Sequence, residues 1–153
     1  ISDEFSRIRL DLVVNILVTK ALTEGKLTVF GGEQWRPLLH VNDVANAINH
    51  TLEDGVKGIF NLHYKNFKII DIANEIIQKV PSAIIETTPM KFQDARNYQV
   101  SSEKLFNNTG FKAEVDLKSG IQEVFDLISN NRIKDVNHIR YSNQNYLKKY
   151  SIQ

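Results

Sequence analysis

The chain has 153 residues, 42% of them hydrophobic, which is enough for one domain of ordinary size with a core of its own. Lys and Arg number 19 against 18 acidic residues, a net charge of +1. That balance creates no field that would recruit nucleic acid or an anionic membrane, so a small-molecule partner is expected. Cysteine is absent, which excludes disulfides, thiolate catalysis and cysteine-based metal sites and fits a reducing cytoplasm.

His40, His50, His63 and His138 are scattered without metal-ligand spacing. No apolar run reaches membrane-spanning length. The opening residues Ile1 to Phe5 carry no initiator methionine and lead quickly into a helical pattern, as in a chain cut from a longer one.

Residues 8 to 24 place Leu10, Val13, Val14, Leu17, Val18 and Ala21 at helical spacing, with Gly25 as the stop. The stretch from 27 to 43, LTVFGGEQWRPLLHVND, then gives two short strands around a glycine pair. There the only tryptophan, Trp35, sits beside Arg36. An aromatic and a guanidinium on a strand edge can stack a base and hold a phosphate; the plainer alternative is a hairpin whose tryptophan fills the core.

Asn42 or Asp43 is expected to cap a helix running through Leu52, with Gly55 and Gly58 closing it. Ile59 to His63 has the composition of a short strand, and Ile69 to Val80 that of a helix ended by Pro81. Residues 83 to 86 suggest a strand, 87 to 94 an irregular exposed segment, and Arg96 to Val100 a further strand by alternation. Ser101 or Ser102 caps a short helix that Gly110 terminates, and Leu117 to Ile128 forms another. From Ser129 onward Asn, Lys, Tyr and Gln dominate, the composition of a surface-hugging or frayed tail.

Three units, in order and at the right spacing, resemble the C-terminal half of the extended short-chain dehydrogenase/reductase family, the NAD-dependent nucleotide-sugar epimerases and dehydratases. They are RLDLVVNILVTKAL with GKLTVFGGEQWRPLLHVNDVANAI, then GIFNLHYKNFKIIDIANEI, then DARNYQVSSEKLFNNTGFKAEVDLKSGIQEV. The resemblance implies an α/β class: the C-terminal part of an NAD(P)-binding Rossmann-like fold, mixing helices with short strands and without the N-terminal Rossmann core. Residues 1–130 would be the substrate-binding region and 131–153 the tail.

The same resemblance implies site residues. Arg36 and Arg96 would grip the pyrophosphate of a nucleotide diphosphate sugar, and Val29 and Phe30 would contact the base, partly through main-chain groups. Arg9 and Asn15 would reach the sugar nucleotide from the other wall, and Asp94 would orient Arg96 or touch ribose. Asp43, the family's conspicuous acid, is better explained as a helix N-cap.

The family's glycine-rich turn for NAD or NADP and its catalytic Tyr-x-x-x-Lys helix are expected upstream of these units. Tyr64 and Lys68 have the catalytic spacing but do not share a helix face, so they are not assigned to hydride chemistry. The implied function is the nucleotide-sugar-binding portion of an NAD-dependent epimerase or 4,6-dehydratase, inactive by itself and part of an intact protein that is a cytoplasmic homodimer. The alternatives are a non-catalytic nucleotide sensor on the same fold and an interaction domain acting through the tail.

Overall fold

A computed structural model describes residues 7–53, 55–89 and 96–150. In chain order its elements are α1 (Val13–Glu24), β1 (Lys26–Phe30), β2 (Trp35–Leu38), α2 (Val41–Glu53), β3 (Lys65–Lys68), α3 (Ile69–Lys79), β4 (Ile84–Thr88), α4 (Glu103–Thr109), α5 (Leu117–Ser129) and α6 (Asn143–Tyr150). The α/β class expected from the sequence is therefore the one observed. Asp94 lies outside the described residues.

The core forms where α1, α3 and α5 meet β1. Leu17, Val18 and Ala21 of α1 pack with Ile72, Ala73 and Ile76 of α3, with Ile121 and Val124 of α5, and with Leu27 and Val29 of β1. Val18, Leu27, Ile72 and Ile76 are fully buried, and each such side chain contributes about 1.5–3 kcal/mol relative to exposure. Their positions follow the helical and strand periodicities read from the sequence. Gly25 closes α1 in the left-handed region at φ 66°, which any side chain would resist.

The two strands around the glycine pair do not form a hairpin. β1 runs parallel to β4, with Lys26 opposite Ile84 and Phe30 opposite Thr88, whereas β2 pairs antiparallel with β3, Trp35 opposite Lys68 and Leu38 opposite Lys65. Gly31 and Gly32, at φ 75° and 105°, carry the chain out of one ladder and into the other. A Cβ on Gly32 would lie 3.3 Å from both Ile70 Cβ and Val29 Cγ1, so the crossing is close as well as left-handed.

Other expectations shift for identifiable reasons. α2 begins at Val41, one residue before the expected caps. His40 caps it instead: its Nδ1 accepts from Asn42 N at 3.2 Å, and its carbonyl accepts from Val44 N. Ile59 to His63 is not a strand; Ile59 is 87% exposed, and the segment has no ladder neighbour among the described residues. The strand lies just beyond it, at β3. α2 turns Val41, Val44, Ile48 and Leu52 to solvent and buries Asp43 and Ala47.

Arg96 to Val100 is likewise not a strand. The carbonyls of Gln34, just before β2, and of Leu38 at its end accept from Ile69 N and Tyr64 N on the β3 side. By the two-residue period the main-chain groups of Trp35 and Pro37 face the opposite edge, and Pro37 has no N–H to offer there. Side-chain amides hold residues 96–100 in place of a ladder.

Beyond α5 the chain folds back on residues 7–12. Ile133 is buried with Leu10 and Leu127, Leu10 N donates to Tyr141 O, and Asn143 N donates to the Asp11 carboxylate at 2.9 Å. Among the described residues no helix is long and apolar enough to cross a membrane.

Candidate functional site

Arg36 lies in the middle of β2, and Arg96 opens the last of the described stretches. The Arg36 guanidinium donates to the main-chain carbonyl of Arg96 and to Trp35 O at 2.7 Å, and it lies 5.8 Å from the centre of the Tyr98 ring. The two arginines are thus neighbours in space. Around them stand Trp35, half-buried, and Tyr98, 44% exposed. Lys68 Nζ is 5.7 Å from the Trp35 ring and 2.7 Å from Glu33 Oε2; that carboxylate holds the ammonium above its usual pKa.

The turn that leads into this region is organised by Gln34, a residue with no signature in the sequence patterning. Its side chain is 8% exposed; Nε2 donates to Phe30 O at 2.7 Å, and Oε1 accepts from Gly32 N at 2.8 Å. A side-chain amide thereby satisfies main-chain groups that two consecutive positive-φ glycines leave outside either ladder. Phe30 is 38% exposed at the end of β1. Val29 is 1% exposed, so its side chain belongs to the core, and its main chain faces Thr87 of β4.

The segment after Arg96 is fixed by amides. Asn97 Oδ1 accepts from Trp35 N at 3.0 Å. Asn66 closes a two-point clasp on Val100: Nδ2 donates to Val100 O, and Oδ1 accepts from Val100 N, both at 2.9 Å. Beside it, Ser102 Oγ accepts from His63 N at 2.9 Å and lies 2.6 Å from His63 Nδ1. Burial lowers the His63 pKa below its ordinary value.

Arg9 and Asn15 lie elsewhere. They line a cleft of about 870 Å³ between the start of α1, the turn from β2 into α2, and α5, together with His40, Tyr64 and Glu123. Arg36, Arg96, Val29 and Phe30 are not among its lining residues. Arg9 forms a two-pronged pair with Asp11, at 2.9 and 3.1 Å. Burial opposes ionisation of Asp11, but the bonds from Arg9 and Asn143 outweigh it and hold the carboxyl below its usual pKa. Asn15 Nδ2 donates to Arg9 O at 2.8 Å, which ties the segment before α1 to that helix.

Asp43 is not the N-cap of α2. It is 3% exposed, and its two carboxylate oxygens accept from Glu114 N at 3.2 Å and Val115 N at 3.0 Å, pinning the approach to α5. Tyr64 immediately precedes β3 and Lys68 is its last residue, so the two do not share a helix face. No group of three His, Asp or Glu residues among the described residues could hold a metal.

Residues 6–62 match a sequence model of the NAD dependent epimerase/dehydratase family. The fold is similar to TunA, an NAD-dependent NDP-hexosamine 5,6-dehydratase involved in tunicamycin biosynthesis, at 18% identity and a TM-score of 0.71, covering 83% of this chain and 43% of that one. The dTDP-glucose 4,6-dehydratase from Bacillus anthracis str. Ames, in complex with NAD, matches at 24% identity and 0.65, covering 80% and 40%. WbmF from Bordetella bronchiseptica, in complex with NADH, matches at 27% and 0.64, covering 79% and 37%. The resemblance read from the three sequence units is borne out, and the chain spans about two fifths of the length of these structures. Its fold is a part of their Rossmann-like α/β fold.

Proposed function

We propose that this chain is the nucleotide-sugar-binding part of an NAD-dependent epimerase or dehydratase, with residues 1–130 forming the binding region and 131–153 a tail that packs back on the start of that region. The observation that carries the proposal is the convergence of Arg36 and Arg96 at one aromatic-rimmed surface. Two arginines so placed would each offer a fork that donates two parallel hydrogen bonds to phosphate oxygens, which suits the two phosphates of a nucleoside diphosphate. Exposed ring surface at Phe30 and Tyr98 offers stacking area for a base.

Arg9 and Asn15 would meet the ligand from the side of the cleft. NAD or NADP would be bound mainly by sequence beyond this chain and would supply transient oxidation of a sugar hydroxyl. The residues here would hold the substrate through the stages that follow, in a cytoplasmic, dimeric protein. Binding energy from the diphosphate, remote from the reacting carbon, is what orients the sugar. Measuring nucleotide-sugar affinity of the intact protein, with Arg36→Ala and Arg96→Ala beside it, tests the assignment; unchanged affinity in both variants contradicts it.

A further inference from the structure

We propose that Asn66 is a positioning residue for Arg96, acting through the clasp that its side-chain amide closes on Val100. This rests on the phosphate-binding role given to Arg96 above. The segment from Arg96 to Val100 runs from the free edge of β2, where Asn97 meets Trp35 N, to Asn66 of β3, and it is not itself a strand. A segment so placed has no ladder to fix its register. Two side chains provide the register instead: Asn97 takes the Trp35 N–H at 3.0 Å, and Asn66 takes both polar main-chain groups of Val100 at 2.9 Å each.

Asn66 sits opposite Pro37 in the β2–β3 register, so the segment is held at one end by β2 and at the other by β3. A primary amide suits this task because it presents one donor and one acceptor in a plane, the same pair that a neighbouring strand residue would present. With Asn97 and Asn66 holding positions 97 and 100, the carbonyl of Arg96 comes to rest on the Arg36 guanidinium. Removing the clasp leaves Arg96 attached through fewer anchors, and its guanidinium is then less well positioned for the ligand.

A double-mutant cycle in the intact protein tests the proposal, with calorimetric dissociation constants for the nucleotide sugar that the wild type binds. Loss of two neutral hydrogen bonds predicts about tenfold weaker binding for Asn66→Ala, and no further weakening when Asn66→Ala is added to Arg96→Ala. Hydrogen–deuterium exchange should quicken in the peptide covering residues 97–102 while the peptide covering 64–69 keeps its protection. Wild-type affinity in Asn66→Ala beside weakened binding in Arg96→Ala overturns the proposal and leaves the phosphate role intact. Additive losses in the double variant, or exchange quickened equally in both peptides, overturn it as well, because Asn66 would then support the ribbon rather than Arg96. Wild-type affinity in Arg96→Ala removes the phosphate role itself and this proposal with it.

Discussion

The Arg36 guanidinium donates to the main-chain carbonyl of Arg96, sixty residues further along the chain. The contact uses the backbone of Arg96, so it does not require the two charges to meet tip to tip. Two guanidinium groups at one site would repel until a doubly charged partner arrived, and under the proposed function the diphosphate of a nucleotide sugar would be that partner. Arg36→Ala in the intact protein should therefore raise the KM for a nucleotide sugar about 10- to 100-fold, the loss of one or two charge-assisted hydrogen bonds. Arg36→Lys should recover only a small part, since an ammonium cannot donate in parallel. Steady-state kinetics on the three proteins checks this, and a fully active lysine variant would argue for a generic positive charge.

Asp43 gives a stability prediction that separates two roles. An N-cap typically contributes about 1 kcal/mol, whereas a buried carboxylate accepting two main-chain N–H groups should contribute about 3 kcal/mol. Urea unfolding of Asp43→Ala should show the larger loss. A loss near the smaller figure would mean that the bonds to Glu114 and Val115 matter little.

His63 should be neutral in the fold and resist protonation. Both polar ends of the Asn66 amide are fixed by Val100, so its Nδ2 presents a donor to His63 Nε2 at 3.3 Å. Nε2 must then accept, which leaves the proton on Nδ1, facing Ser102 Oγ. Burial lowers the folded-state pKa below 6.5. The unfolded chain thus takes up the proton first as pH falls, so stability declines through and below that value and levels off only once the folded-state group also titrates. An NMR titration of the His63 ring should give a midpoint under 6.5; a midpoint above it contradicts the arrangement.

The core offers a simpler check. Ile76 is fully buried between α1, α3 and β1. Ile76→Ala should destabilise by about 2–5 kcal/mol and Ile76→Val by about 0.5–1.5 kcal/mol. Denaturant midpoints for the two variants measure the difference directly.

What the sequence disclosed depended on how local each cause was. α1, α3 and α5 were legible because apolar spacing within each helix already names its buried face. Gly25 and Gly110 marked helix ends correctly because a left-handed cap needs no distant partner. Strands were harder, since a strand exists only beside a neighbour. The pattern at Ile59 to His63 is strand-like but unpaired among the described residues, and that at Arg96 to Val100 is held by side-chain amides instead of a ladder.

The candidate site was legible in the same uneven way. Arg36 and Arg96 followed from the family resemblance, and their proximity is geometric fact in the structure. Gln34, His40 and Asn66 were invisible, because an amide or imidazole that satisfies distant main-chain groups has no periodicity to betray it. Asp43 was noticed for its place before a helix, while its partners lie more than seventy residues away.

The central claim, that these residues hold a nucleoside diphosphate sugar, is tested most directly by calorimetric titration of the intact protein with UDP-, dTDP-, GDP- and CDP-sugars. Saturable heat is expected with at least one member of the panel, weakened in both Arg36→Ala and Arg96→Ala. No binding to any of the four nucleotide classes would contradict the account.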